Sequence, residues 1–380
     1  MLKGKSLLRL AASVLPLFLA APASAEPGIT ADKIIIGQPA GFTGPVAATV
    51  KELTAGAQAY FDSVNAKGGV HGRKIVLESM DDAFDPKKTP EVAKKLIDEK
   101  NAFALFLTRG TPHTEGAYAL LEAAKVPLIG PSSGAMSMYN PPRKYLFPVR
   151  ASYHSEIFKI VPQLVNMGIN RVALFYVEDS FGKDGLAGAQ QALVKSNLQA
   201  VAIGSHVART IQVENAVAII AKADPQAIIM ISNLDASVEF VKQMKKTGRN
   251  PVFLTLSNNS SNAFIKNLGE DGWGVSVSQV SPYPFSGALP ITKEFQEVIK
   301  GKPDVSASYS SMEGFIAAKV LVEGLKRAGP KPTREKLIAG LESMNRYDMG
   351  GVDVTYGPHN RTGTTYIDLT IIGKSGKFVR

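Results

Sequence analysis

The pattern Gly130-Pro131-Ser132-Ser133-Gly134 satisfies GxSxG, the spacing that presents a nucleophilic serine on a strand-to-helix elbow. An elbow needs a long helix straight after the serine, and Pro141-Pro142 breaks the chain a few residues later. An exported esterase built on Ser132 is therefore the weaker use of this loop. Small hydroxyl residues after a strand aim hydroxyls and backbone N–H groups at a ligand carboxylate instead. The segment Thr108-Arg109-Gly110-Thr111-Pro112 makes a similar offer, with Thr111 as a natural N-cap and Pro112 at the first helical position. The free N–H groups of that helix end favour an anion. Both loops follow strand-like runs, and ligands of open α/β sheets bind beyond the carboxyl ends of the strands.

Other chemistry is thinly represented. The chain has no Walker A, HExxH or GxGxxG motif, and its five histidines (His71, His113, His154, His206, His359) lack metal-ligand spacing. There are no cysteines, which excludes disulfides, thiolate metal sites, cysteine nucleophiles and a thioether lipid anchor. No cofactor and no metal is called for. The basic residues fall in scattered pairs (Lys87-Lys88, Lys94-Lys95, Lys245-Lys246) at helical spacing. That pattern reads as solvated helix faces, and nucleic-acid binding is not expected.

The elements that must position these loops come from a 380-residue chain with 45% apolar and 20% charged residues, a globular composition. Residues 1–25 read as a signal peptide. Lys3, Lys5 and Arg9 precede an apolar run over residues 10–21, and Ala23-Ser24-Ala25 offers small residues for cleavage after Ala25. Pro16 and the shortness of the run argue against a membrane anchor. Loss of those three cations lowers the formal charge from +10 to +7. An exported, unanchored protein of the periplasm is expected.

From residue 33 onward, short apolar runs alternate with amphipathic stretches. Strands are expected near 33–38, 74–80, 103–107 and 127–130, and helices near 48–66, 90–99 and 111–124. The pattern restarts with strands near 171–177, 200–206, 227–232 and 252–256, separated by helices near 182–195, 211–223 and 237–246. Such alternation argues for βαβ units and a parallel sheet in each half. Residues 291–341 read as helical, with the best helix over 311–328, stopped by Gly329-Pro330. Residues 352–379 read as β-hairpins.

These segments resemble periplasmic solute-binding proteins of the leucine/isoleucine/valine-binding type over nearly all of residues 29–380. The resemblance rests on IIIGQPAGFTGPVA, AGAQAYFDSVNAKGGVHGRKIVLESMDDAFDP, VPLIGPSSGA, VALFYVEDSFGKDGL and YSSMEGFIAAKVLVEGL. The glycine-rich stretch followed by Asp81-Asp82 is its most specific part. The resemblance implies an α/β fold of two Rossmann-like lobes, each a central parallel sheet flanked by helices, joined by a three-stranded hinge. Lobe one would be 29–150 plus 282–350, and lobe two 151–281 plus 351–380. It implies a binding protein rather than an enzyme, a monomer, capturing a small solute by hinge closure and serving inner-membrane ABC permease subunits; a ligand sensor of the same fold is the alternative.

Carried over by position, the carboxylate-binding residues fall at Thr111 and at the loop containing Ser132, Ser133 and Gly134. Two pocket tyrosines fall at Phe181 and near Leu234. The two acids that hold a ligand ammonium fall at Ser155 and Ser257, with Asp235 or Glu178 as possible substitutes. Tyr153 and Tyr309 are further pocket candidates. The resemblance implies a branched-chain or other hydrophobic amino acid as ligand, while a surviving carboxylate clamp without an ammonium clamp points to an aromatic or aliphatic carboxylic acid, since a buried ammonium without a counter-charge costs several kcal/mol.

Overall fold

The computed structural model describes residues 26–380, so the signal-peptide reading of residues 1–25 lies outside the described residues. The first βα series runs β1 (Lys33–Ala40), α1 (Ala47–Ala66), β2 (Lys74–Asp81), α2 (Thr89–Asp98), β3 (Ala104–Phe106), α3 (Thr111–Ala124), β4 (Leu128–Ile129) and β5 (Leu146–Phe147). These strands form a parallel sheet in the order β2-β1-β3-β4-β5. The second series runs α4 (Tyr153–Asn166), β6 (Val172–Val177), α5 (Ser180–Lys195), β7 (Ala202–His206), α6 (Glu214–Ala223), β8 (Ala227–Ile231), α7 (Leu234–Lys246), β9 (Val252–Thr255), α8 (Asn262–Leu268) and β10 (Ser276–Gln279). The chain then makes α9 (Pro290–Ile299), α10 (Tyr309–Ala328), α11 (Arg334–Glu342), β11 (Tyr347–Asp348), β12 (Asp353–Gly357), β13 (Asn360–Gly363), β14 (Asp368–Ile372) and β15 (Phe378–Val379). The second sheet has the order β15-β14-β10-β9-β8-β6-β7, with β14 and β15 antiparallel.

The central strands β6 (VALFYV) and β8 (AIIMI) are continuous apolar runs, as expected of strands buried on both faces of a parallel sheet. Along β6, Val172 and Leu174 join one core cluster, while Ala173 and Phe175 join the other. The helical block 290–342 packs on the first sheet's helices, and α10 crosses α1 at backbone contact. A Cβ on Gly56 would meet the Ser311 carbonyl oxygen at 1.8 Å, and one on Gly314 the Leu53 carbonyl oxygen at 1.9 Å. Only glycine permits that approach.

Three features differ from the sequence reading. Helix α4 has no counterpart in it, because Pro162 lies within the helix and interrupts the pattern. At α3, Gly110 with φ 96° is the N-cap, Thr111 is the first helical residue and Pro112 the second. The assignment of 351–363 to lobe two is corrected: these residues return to the first lobe. Arg361 is buried and donates to the carbonyls of Arg143 (3.1 Å) and Leu146 (3.1 Å) and to Glu342 (2.7 Å). Tyr356 packs edge-on against Phe147, and Thr364 N–H donates to the Val149 carbonyl at 2.7 Å. The third crossing therefore falls between β13 and β14, not at Gly350-Gly351.

Candidate functional site

The loops after β3 and β4 continue the parallel ladder past the sheet. Arg109 pairs with Ser132 as a bridge, and Ser132 N–H donates to the Thr108 carbonyl at 2.7 Å. This pairing brings Thr111 and Ser133 to a hydroxyl–hydroxyl distance of 2.8 Å. Gly134 is tight against α4: a Cβ there would lie 2.9 Å from Tyr153 N.

Arg109, which the sequence reading passed over, is the central cation. Its side chain is buried, and it donates to Ser132 Oγ (2.7 Å) and, across the cleft, to the Asn258 carbonyl (2.8 Å). Among the described residues it forms a hydrogen bond to no carboxylate; Ser132 Oγ relays it to Glu313 Oε1 at 2.9 Å. Burial lowers its pKa from the ordinary value, partly opposed by Tyr153 and Glu313. Arg150, at the first crossing, is in contrast surrounded by acids. It meets Glu156 Oε1 at 2.7 Å, Glu313 Oε1 at 3.5 Å and the Ser257 hydroxyl. Burial opposes the Arg150 charge, but Glu313, Tyr153 and Glu156 outweigh it and hold its pKa above the usual range.

A small, tightly lined cavity lies where the two sets of strand ends face each other. Arg109, Thr111 and Ser132 line one side, and Tyr153, Phe181 and Asn258 the other. The Tyr153 and Phe181 rings sit 4.8 Å apart, and Phe84, stacked at 4.2 Å on His113, completes an aromatic wall. Asn258 donates through Nδ2 to the Ser232 carbonyl at 2.9 Å, which leaves its buried Oδ1 without a partner. Asp179 is the carboxylate in the lining. Its Oδ1 caps α5 by accepting from Gly182 N–H at 3.0 Å, while burial raises its pKa against that bond.

The sequence candidates thus divide. Thr111, Ser132, Tyr153 and Phe181 line the cavity, and Ser133 and Gly134 lie directly behind it. Asp235 lies further out, in an adjoining cavity. Four expectations are corrected. Leu234 packs into the second-lobe core, and its neighbour Asn233 faces the cavity instead. Ser257 is held by Glu156, accepting nothing from the cavity, and Asn258 faces it. Ser155 is exposed and pairs with the α4 cap Ser152 at 2.8 Å. Tyr309 packs against Phe378 at 5.5 Å in the core. In sequence, nothing but its place between a strand and a capped helix marks Arg109.

Ser132 is not set as a nucleophile. Its hydroxyl is held by Arg109 and Glu313, and a single 3-10 turn at 136–138 follows it rather than a long helix. Among the described residues no group of three or more His, Cys, Asp or Glu is placed to hold a metal ion, and no helix is long and apolar enough to cross a membrane.

Two α/β lobes whose facing strand ends enclose a polar and aromatic cleft beside three chain crossings define a type I periplasmic binding protein. The chain belongs to the periplasmic binding protein family, whose family model matches residues 33–377. It is similar to Leu/Ile/Val-binding protein homolog 7 of Brucella suis, at 26% identity over 81% of this chain and 79% of the relative. Among solved structures it resembles a substrate-binding periplasmic protein from Ralstonia solanacearum, with TM-score 0.86 and 34% identity over 91% of this chain and 99% of that one. A possible leucine/isoleucine/valine-binding protein from Rhodopirellula baltica is also similar, with TM-score 0.87 and 26% identity over 92% and 97%.

Proposed function

We propose that this protein is the solute-binding component of an ABC importer and captures a small carboxylate-bearing solute between its lobes. The observation that carries the reading is Arg109: a buried guanidinium lining the cleft, hydrogen-bonded to a hydroxyl and a carbonyl but to no carboxylate. A ligand carboxylate supplies the missing counter-charge, with the Thr111 hydroxyl and the N–H groups opening α3 beside it. The aromatic wall of Phe84, Tyr153 and Phe181 suits an apolar or aromatic body.

The opposite side of the cavity presents the neutral amide of Asn258 where an ammonium would need a carboxylate. This favours an acid without an α-amino group. A second reading, a branched-chain amino acid, has its own support in Asp179 and in the names of the relatives. Asp179 would then hold the ammonium with the oxygen not used in capping. Calorimetry with benzoate and with leucine separates the two, and mass spectrometry of ligand released from the denatured protein names the solute. Tight leucine binding, lost in Asp179→Asn, overturns the simple-acid reading. Failure to bind either, together with release of a ligand lacking a carboxylate, overturns the proposal as a whole.

A further inference from the structure

The cleft does not end at the cavity beside Arg109. A second, roomier cavity adjoins it and shares two lining residues, Phe84 and Asn233. It too lies between the lobes, with Gly44 and Pro45 on one side and His206, Ile211 and Asp235 on the other. Its rim is closed by a cross-cleft ion pair, Arg209 to Asp85, at 3.3 Å.

The polar groups of this outer chamber are unevenly used. His206 is occupied on both ring nitrogens, by Ser232 Oγ at 2.7 Å and the Val207 carbonyl at 3.0 Å. Arg209 is neutralised by Asp85. Asp235 is different: burial raises its pKa, and among the described residues its carboxylate has no hydrogen-bond or ion-pair partner. Asn233 precedes α7 without making a side-chain cap bond. The chamber therefore offers a free carboxylate and a free amide, both suited to a hydrogen-bond donor. The inner cavity offers the opposite, a guanidinium suited to a carboxylate. Phe84 stands between them, held in place by its own loop. Its N–H donates to Asp82 Oδ1 at 2.9 Å, Asp82 also accepts from Thr89 Oγ1 at 2.8 Å, and the preceding Asp81 accepts from Phe42 and Thr43 N–H. That use of Asp81-Asp82 explains the acidic pair singled out in the sequence: it braces the partition rather than touching a ligand.

We infer that the two chambers form one elongated site for a carboxylic acid with an aromatic body and a hydrogen-bond donor, a hydroxyl or an amine, at its far end. The carboxylate lies at Arg109, the body passes along Phe84, and the donor reaches Asn233 and Asp235. This rests on the carboxylate reading above and adds ligand length and the chemistry of the second end.

The test uses three probes in calorimetry with the full mature chain: benzoate, 3-phenylpropanoate and 3-(4-hydroxyphenyl)propanoate. The hydroxylated acid is expected to bind at least tenfold more tightly than 3-phenylpropanoate. Ile211→Trp, at an exposed position on the outer chamber, fills that chamber without touching the core. It is expected to weaken the hydroxylated acid at least tenfold while benzoate changes less than twofold. Asp235→Ala is expected to remove the advantage of the hydroxyl and leave 3-phenylpropanoate unchanged. Equal affinity of the two long acids, or equal effects of Ile211→Trp on all probes, overturns the extended site and leaves the carboxylate reading standing. If benzoate and both long acids fail to bind, the simple-acid reading and the extended site built on it both fall.

Discussion

Arg109 and Asn258 face one another from different lobes, and the Arg109 guanidinium donates to both the Asn258 carbonyl at 2.8 Å and Ser132 Oγ at 2.7 Å. Removing the Arg109 charge takes away charge-assisted hydrogen bonds that contribute about 1.5–3 kcal/mol each. Arg109→Met should therefore weaken a bound carboxylate by about 3 kcal/mol, on the order of a hundredfold, with far-UV circular dichroism unchanged. Thr111→Ala should cost about 1.5–3 kcal/mol of affinity in the same titration. Affinity equal to that of the parent would confine Thr111 to its bond with Ser133. His113 gives a different prediction. It is buried on Phe84 with neither ring nitrogen bonded to a side chain, and burial lowers its pKa from 6.5 to about 4. Above pH 6.5 both folded and unfolded chains hold it neutral. Between 6.5 and 4 the unfolded chain takes up a proton that the folded chain excludes, so stability falls as the pH is lowered. From pH 7 to pH 5 this group should cost about 2 kcal/mol. Urea unfolding at the two pH values should show that loss reduced in His113→Leu. Two pocket positions expected from the family pattern, Leu234 and Ser257, are each one residue from the side chain that faces the cleft. Both lie at the start of a helical turn, where one residue rotates the side chain by roughly 100°. A one-residue alignment shift is small in sequence and decisive in space.

At the level of elements, the alternating βα units were legible because buried parallel strands are short apolar runs and their helices are amphipathic. Helix α3 was read at its observed bounds, Thr111–Ala124. Helix α4 was not, since a proline at position 162 looks like a break. The structure accommodates it within a helix whose N-terminus is capped by Ser152, which accepts from Ser155 N–H at 3.1 Å. The role of Arg109 was illegible for a further reason: its burial depends on Asn258, 149 residues away in sequence. The crossing of α1 and α10 tests whether the glycines matter as spacers. Gly56→Ala and Gly314→Ala each force the helices apart and should each destabilise by about 1–3 kcal/mol or more. The measurement is the thermal midpoint, and ligand affinity of the folded fraction should hold. An unshifted midpoint would mean the crossing can open without loss.

Across the whole molecule, polar contacts also join the lobes away from the cleft. Glu52 on α1 accepts from Asn262 N–H at 3.1 Å at the start of α8, and Thr49 Oγ1 reaches Ser261 Oγ at 3.2 Å. The Asp85–Arg209 pair closes the outer rim where solvent screens it, so its contribution to stability is modest. Reversing it with Asp85→Lys places two cations across the rim. Ligand affinity should fall a few-fold, mainly through faster release, and the loss should shrink as salt is raised. Stopped-flow release rates at two ionic strengths check both parts.

The return of residues 353–363 to the first lobe has a consequence for how the chain is made. β1 opens that lobe at residue 33, and the β12–β13 hairpin closes it more than 300 residues later. The second sheet likewise waits for β14 and β15, the last strands of the chain. Chains that emerge from the N-terminus usually finish one domain before starting the next. Here the first lobe is closed only at β13 and the second only at β14 and β15, one after the other, through contacts of high sequence separation, which form slowly. Loss of the segment from β12 onward therefore damages both halves of the molecule at once, rather than trimming one.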